Sequence, residues 1–337
     1  MKVPVIDKNY VPCAPCHPAR ARELIRHGKA VRRFIKGIFY IQLSYSVLSL
    51  STSRICLGLD PGSKRAGITL MSDKETLLNI LLNVENKTKD KLEVRANMRR
   101  GRRFRKTPCR KNKSNRKRNV EGWVPPSTFS RWNRYLNIIK VLMKIYPISD
   151  VSVEDIKAET RKNCTQWNIN FSPCQNGKNW FYGDVEKLGV NLHKIQGWET
   201  FKLRNKFNFK KTKDKLAESF EAHCVDSWVI ANSVFEKQRS RIDNKKMIVM
   251  TPFHHIRRQL HRFQPSVGGV RHKHGGTCGL LKKGAMVLHE GVIKYAGWSS
   301  DKAVELKDCY GKQVNRAILL KKLTVVVRYN NMGVKYV

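Results

Sequence analysis

Three acidic residues in this 337-residue chain sit where a strand or a helix could carry them to one point. Asp60 closes the apolar alternation of Ile55–Asp60 and is followed by the turn residues Pro61-Gly62. Glu154 ends the short strand pattern Val151-Ser152-Val153-Glu154, whose inward residues are valines. Asp226 lies on a predicted helix over Lys215–Phe235, with His223 one turn earlier on the same face. Carboxylates delivered from separate elements are what phosphodiester hydrolysis by two Mg²⁺ ions, roughly 3.5–4 Å apart, requires. Hard oxygens hold and bridge such ions, and an imidazole can activate or orient the attacking water. Each residue also has an ordinary reading. Asp-Pro-Gly is usually a turn, Glu154-Asp155 can be a solvated strand end, and a His three residues before an Asp can be a surface hydrogen-bonding pair. A phosphate-cradling P-loop is excluded, because Gly62 is followed by Ser63 rather than Lys and its spacing from Gly58 is wrong.

The elements that must position these groups can be read along the chain. Residues 1–53 form a small module with a Pro-rich strand, a basic helix over Pro18–Arg26 and strands within Val31–Leu50. Ala66–Met71 is the predicted hairpin partner of Ile55–Asp60. Residues 87–118 are a basic segment, helical at least up to Pro108. Pro125-Pro126-Ser127 stops and restarts the chain, with Ser127 as a predicted N-cap. In the helix that follows, Trp132, Tyr135, Leu136, Ile139, Leu142 and Met143 share one face. Residues 158–212 are polar and aromatic-rich and yield no assignment. From Met247 onward Gly, His and β-branched residues predominate, ending in Leu323–Val327, which predicts a separate small β-domain.

Charge narrows the class of partner. The chain has 67 Lys+Arg against 26 Asp+Glu, a net charge of +41, and such an excess opposes compact folding unless a polyanion neutralises it. The densest block, Arg95–Arg118, is about half Lys and Arg with no acid, and it lies between Asp60 and Glu154 rather than in a tail. No apolar stretch reaches the roughly 18 residues of a spanning helix, and Met1–Lys8 lacks the apolar core of a signal peptide. Nucleic acid is therefore the expected partner and a membrane is not. Nine cysteines, an odd number without disulfide-framework spacing, point to reduced thiols in a cytoplasm, and Cys13-Ala14-Pro15-Cys16 has no second pair for a zinc ribbon. Trp123, Trp132 and Trp298 could stack bases, but core packing is the expected role of each.

At these residues the chain resembles a known group. Leu57–Lys64, Val151–Glu154 and Glu221–Ser227 are similar to the three split motifs of RuvC-type, RNase H-like nucleases. Arg99-Arg100-Gly101-Arg102-Arg103 looks like the Arg-rich bridge helix of the transposon-encoded, RNA-guided IscB/IsrB group. Residues Pro4–Tyr10 and Pro18–Arg22 resemble that group's PLMP domain, although the namesake tetrapeptide reads Pro12-Cys13-Ala14-Pro15. Arg257–Arg262 with Gly268-Gly269 and Gly275-Gly276 resembles its C-terminal segment. An HNH nuclease needs two or more histidines and commonly a Cys-x-x-Cys knuckle, whereas residues 158–212 hold only His193. The chain is therefore similar to IsrB, the HNH-less form.

The resemblance implies an α/β, RNase H-like (RuvC) split core interrupted by a bridge helix. Its expected divisions are a PLMP domain at 1–53, RuvC parts at 54–86, 121–157 and 213–240, the bridge helix at 87–120, a linker replacing HNH at 158–212, and a β-domain at 241–337 that reads a target-adjacent motif. It implies a nickase in which Asp60, Glu154 and Asp226 hold Mg²⁺, with Mn²⁺ as a substitute, and His223 acts on the water or the developing charge. A large structured guide RNA would pair with one strand of double-stranded DNA while the displaced strand is cut. Nucleic-acid contacts are expected from Arg95, Arg99, Arg100, Arg102, Arg103, Arg105, Lys106, Arg110, Arg257, Arg258 and Arg271. The expected setting is one protein chain in a ribonucleoprotein, in the nucleoid-associated cytoplasm of a prokaryote. A junction resolvase and a non-catalytic RNA-binding regulator are the alternative readings.

Replacing Arg99, Arg100, Arg102 and Arg103 with Ala is expected to weaken RNA binding and to flatten its salt dependence by up to about four in slope, slightly under one for each phosphate no longer neutralised. A salt titration of binding affinity checks this, and an unchanged slope contradicts a phosphate-gripping role.

Overall fold

The computed structural model describes residues 2–47, 53–84, 88–106, 123–155, 172–253, 277–278, 281–300 and 302–337. Its N-terminal module is a four-stranded sheet of β1 (Val3–Ile6), β2 (Pro12–Cys16), β3 (Ala30–Ile35) and β4 (Ile38–Leu43), in the order β2-β1-β4-β3. Helix α1 (Pro18–Arg26) starts with Pro at its first position, where no amide hydrogen is needed, and His17 accepts a hydrogen bond from the Ala19 amide. It buries Ala21 and Leu24 against Val5 and Ile41. Ile6 and Ile38 face the other way and join the main core, and Lys36 Nζ donates to Asn331 Oδ1 at 2.6 Å.

The central body runs β5 (Ile55–Asp60), β6 (Arg65–Ser72), β7 (Thr76–Asn83), α2 (Thr88–Lys106), α3 (Pro126–Met143), β8 (Asp150–Glu154), α4 (Ser172–Glu186), β9 (Asn191–Ile195), α5 (Gly197–Lys206), α6 (Phe220–His223), α7 (Val225–Asn232) and β10 (Met247–Pro252). Beyond it lie a short hairpin, β11 (Thr277–Cys278) and β12 (Leu281–Lys282), and a five-stranded sheet. That sheet comprises β13 (Met286–His289), β14 (Val292–Ser299), β15 (Ala303–Lys307), β16 (Gln313–Leu319) and β17 (Thr324–Val327), in the order β16-β15-β14-β13-β17. The last strand, β18 (Met332–Tyr336), returns to the central sheet, whose order is β18-β10-β7-β6-β5-β8-β9. Within it β5, β6 and β7 are antiparallel, and β8 and β9 run parallel to β5. Three antiparallel strands followed by two parallel ones, with the first strand central, is the RNase H-like (RuvC) arrangement, so the fold class is as expected.

Strand periodicity decides which residues reach the site. Ile55, Leu57 and Leu59 of β5, and Val151 and Val153 of β8, point into a core capped by Trp132, Tyr135, Leu136 and Ile139 of α3 and Phe181 of α4. Cys56, Gly58 and Asp60, with Asp150, Ser152 and Glu154, therefore face the opposite layer, where α7 lies. There Trp228 is fully buried with Val225 and Val229, a burial that contributes on the order of 2–3 kcal/mol for such a large side chain. The helix approaches very closely. A Cβ on Gly58 would lie 2.1 Å from the Ser227 carbonyl oxygen, and one on Gly67 would lie 2.0 Å from that of His223. A buried polar string underlies the contact, with the Thr69 hydroxyl donating to Asn79 Oδ1 at 3.1 Å and lying 2.9 Å from Ser227 Oγ.

Four expectations need correction. The predicted helix over Lys215–Phe235 is two short helices: the Arg65 guanidinium gathers the carbonyls of Lys215 and Leu216, each at 2.8 Å, Ser219 caps α6, and the chain bends at Cys224. Residues 158–212 are not merely a linker, since 172–206 supply α4, the fifth core strand β9 and α5, while 156–171 lie outside the described residues. The boundary at 241 does not separate a domain, because β10 pairs in parallel with β7 and β18 pairs with β10; only β11–β17 stand apart. Helix α3 begins at Pro126 with Pro125 at the cap position, earlier than Ser127 would set it. On its expected face Met143 is only half-buried, and Ile138 is buried as well.

Gly58→Ala is expected to destabilise the fold by about 1–3 kcal/mol or more, since the added methyl meets backbone rather than a movable side chain. The same change at Gly101, where a Cβ meets nothing within 4 Å, should be neutral or stabilising by up to about 1 kcal/mol. Denaturant unfolding of the two variants checks the opposite signs.

Candidate active site

The register of the sheet sets the first two carboxylates side by side. Leu59 pairs with Val153 in the parallel β5–β8 ladder, so the next residues, Asp60 and Glu154, leave the ends of adjacent strands on the same face. Asp226 comes from the first turn of α7, which the Gly58 and Gly67 contacts press onto those strands. The three sequence-predicted acids are thus brought together.

Their electrostatics show the proximity. Burial pushes the Asp60 carboxyl well above the ordinary carboxylate range, and the neighbouring charges of Glu154 and Asp226 push it further. Glu154 is raised as well, by burial and by the charge of Asp226, against the opposing influence of Lys211 and of hydrogen bonds to Asp60 and Thr200. Burial beside like charges thus favours the protonated form of both carboxyls. Asp226 is buried, and its two oxygens are taken by Arg204 Nη1 at 2.7 Å and by the Lys211 ammonium. Among the described residues no three His, Cys, Asp or Glu groups converge closely enough to hold a metal ion as they stand. The donor set nevertheless fits a divalent cation. It consists of hard carboxylate oxygens whose mutual repulsion a divalent ion would relieve.

His223 is placed differently from its sequence expectation. With the chain bent at Cys224, its Nε2 lies 3.0 Å from the Ala217 carbonyl oxygen and 3.3 Å from Arg65 Nη1, so the ring faces the 214–217 turn rather than the carboxylates. Burial and the Arg65 charge lower its pKa, favouring the neutral imidazole.

Sequence reading missed Thr200, Arg204 and Lys211. Nothing in a chain with 67 Lys+Arg distinguishes two cations from the rest, and α5 itself carried no recognisable pattern. Two ion-paired clusters brace the site from behind. Asp150, fully buried, takes a bidentate pair from Arg54 at 2.6 and 2.8 Å and a contact with His193 Nε2 at 2.8 Å. Burial would raise this carboxyl, but Arg54 and His193 outweigh it and hold it below the ordinary range. Asp155, adjacent to Glu154, accepts from Lys178 Nζ at 2.8 Å and from the Tyr182 hydroxyl at 3.0 Å, tying α4 to the end of β8.

Helix α2 presents Arg95, Arg99, Arg100 and Arg103 to solvent, and Phe104 on it is 84% exposed. Leu92 and Val94 on this helix are exposed as well, so little of its surface is buried. Arg102, Arg105 and Lys106 lie on the same helix, whereas Arg110, Arg257, Arg258 and Arg271 lie outside the described residues. Trp132 is a core residue as expected, but Trp123 and Trp298 are exposed, which corrects their assignment to packing. Among the described residues no helix is long and apolar enough to cross a membrane.

Comparison with known proteins gives two kinds of match. Residues 3–177 match the family described as RRXRR protein, and the chain reads Arg-Arg-Gly-Arg-Arg at 99–103. None of the curated proteins matches. Among solved structures, the chain is similar to RuvC of T. thermophilus in complex with a Holliday junction substrate, at 12% identity and a TM-score of 0.29 over 53% of this chain and 90% of that one. It is also similar to the yeast mitochondrial Holliday junction resolvase Ydc2, at 16% identity and 0.28 over 53% and 76%. A CRISPR-Cas12f ternary complex matches at 15% identity and 0.30 over 66% and 49%. At these scores the similarities carry no functional weight, and the strand order and register define the fold.

A pH dependence follows from the Asp60 shift. Between the ordinary value near 3.9 and the raised folded value, the native state holds a proton that the unfolded state has lost. The contribution of this group to stability is therefore greatest at low pH and declines as pH rises through that window. In metal-free buffer, Asp60→Asn should raise the melting midpoint above the window and give little gain below it. Melting curves of both proteins across pH check this.

Proposed function

The chain belongs to the RRXRR protein family, and from that footing we propose that it is an RNA-guided, Mg²⁺-dependent DNA endonuclease of the IscB/IsrB kind that nicks the displaced strand. The observation that carries the reading is that Asp60 and Glu154 leave the ends of adjacent strands on one face of an RNase H-like sheet, with Asp226 of α7 near enough for its charge to raise both carboxyls. The exposed Arg-rich α2, which follows β7 in the same core, supports a polyanionic partner held by its phosphates. A large structured guide RNA fits that helix, and base pairing would then select the DNA target.

A single cutting site is supported by what fills the chain between β8 and α6. Residues 172–206 are committed to α4, β9 and α5, and His193 is held on β9 by Asp150. Too little chain remains there for an HNH nuclease.

Asp60, Glu154 and Asp226 would hold the divalent ions. A bound ion lowers the pKa of water and offsets charge on the phosphate. Glu154 is steadied by Thr200 and, through the adjacent Asp155, by Lys178. Lys211, which pairs with Asp226, would be free to meet a phosphate were an ion to occupy the carboxylates. His223 and Arg65 fix the turn that leads into α6, and we assign His223 to positioning rather than to proton transfer.

With the matching RNA and target plasmid, the protein should convert supercoiled DNA to the nicked form. Asp60→Ala should lower the rate by more than about a hundredfold, since even outer-shell partners of a metal site cost 10–100-fold. Undiminished nicking by that variant contradicts the catalytic assignment, and double-strand breaks contradict the single site.

A further inference from the structure

Helix α5 has two faces with different tasks. Arg204 pairs with Asp226 and Thr200, four residues before it, is buried, so one side of the helix is turned to the carboxylates. The opposite side borders a groove of about 790 Å³ between α5, the edge strand β9 and the end of α7. Its floor is apolar, from Ile195, Leu203 and Val234. Along its rim run Trp198, Lys202 and Lys206, spaced four residues apart in one row. Trp198 is 65% exposed; Phe201, on the next turn outside the groove, is 55% exposed, with the Arg204 guanidinium over its ring 5.3 Å from the centroid. Lys202 and Lys206 are exposed and, among the described residues, pair with no carboxylate. The acid beside the row, Glu199, is occupied in capping the helix, accepting from the Gln196 amide at 2.8 Å.

We propose that this groove binds single-stranded DNA and holds the strand to be cut. Exposed rings flanked by unpaired ammonium groups are the chemistry of sequence-tolerant strand binding, in which bases stack on aromatic faces and phosphates meet the cations. The row spans about 12 Å, enough for roughly three stacked nucleotides. A strand seated there is separated from Asp226 by the thickness of α5, ~10 Å, together with the Arg204 side chain, so the carboxylates lie several nucleotides along the strand. Duplex DNA does not fit, because its bases are unavailable for stacking. The inference rests on the nuclease reading for the identity of the strand, and the sheet edge, Trp198 and the lysines supply the site itself.

The test uses the full chain in EDTA, where binding is read without cleavage. A 12-nucleotide oligodeoxythymidine carrying 5-iodouracil is photocrosslinked and the attached residue is found by peptide mass spectrometry. Attachment at Trp198 is expected. By fluorescence anisotropy at elevated salt, where the nonspecific phosphate contribution is weakest, Trp198→Ala should lose roughly 5- to 150-fold in affinity with an unchanged salt slope. Lys202→Ala/Lys206→Ala should instead reduce the slope by up to about two. Thermal melts establish that both variants fold. Crosslinks found only elsewhere, or full affinity in a folded aromatic variant, overturn the proposal. A matching iodouracil RNA that crosslinks at Trp198 in preference to the DNA overturns the assignment to a DNA strand. Because no cleavage is read, a failure of Asp60-dependent nicking leaves this result standing, and a missing crosslink leaves the nicking result standing.

Discussion

Much of this molecule follows from one close approach, that of the α6–α7 backbone onto β5 and β6 through Gly58 and Gly67. Without a Cβ at either position the helix settles directly over the strands, and its first turn brings Asp226 over the ends of β5 and β8. Three carboxylates are then forced into one half-buried space, where they repel. That repulsion shows in the raised Asp60 and Glu154 carboxyls, while Asp226 is paired with Arg204 and Lys211. The surrounding structure braces an arrangement that opposes itself. Arg54–Asp150 and Lys178–Asp155 clamp both ends of β8, and a buried Thr69–Ser227 contact pins α7.

The strands bearing Asp60 and Glu154 were legible because large apolar residues recur at every second position in them. Ile55–Asp60 and Val151–Glu154 alternate, and alternation fixes which residues share a face. The helix before β8 was legible for the same reason, as its apolar face repeats at helical spacing. The segment around β9 and α5 was not. Asn191–Ile195 is short and mixed in character, and α5 buries only Thr200 fully, so neither has a periodic apolar pattern to announce it. Lys211 and Arg204 gain their meaning from a three-dimensional neighbour, Asp226, and a sequence this rich in cations hides them.

The break between α6 and α7 shows why local pattern alone misplaced His223. Helical spacing puts residues three apart on one face, but only if the helix is continuous. Arg65 draws the carbonyls of Lys215 and Leu216 into a turn, Ser219 starts the helix late, and the bend at Cys224 sends the imidazole toward Ala217. Tertiary hydrogen bonds from a distant strand override the local preference. The same holds for β10 and β18, whose composition suggests a separate domain while their pairing completes the central sheet.

The account depends on the claim that the three carboxylates form a divalent-metal site whose place Lys211 now takes. Anomalous diffraction from crystals of the protein soaked in Mn²⁺ tests it most directly. The account predicts a manganese peak bonded to Asp60, Glu154 and Asp226, with the Lys211 ammonium withdrawn from Asp226. No peak at millimolar Mn²⁺, with Lys211 and Arg204 still paired to Asp226, would contradict it.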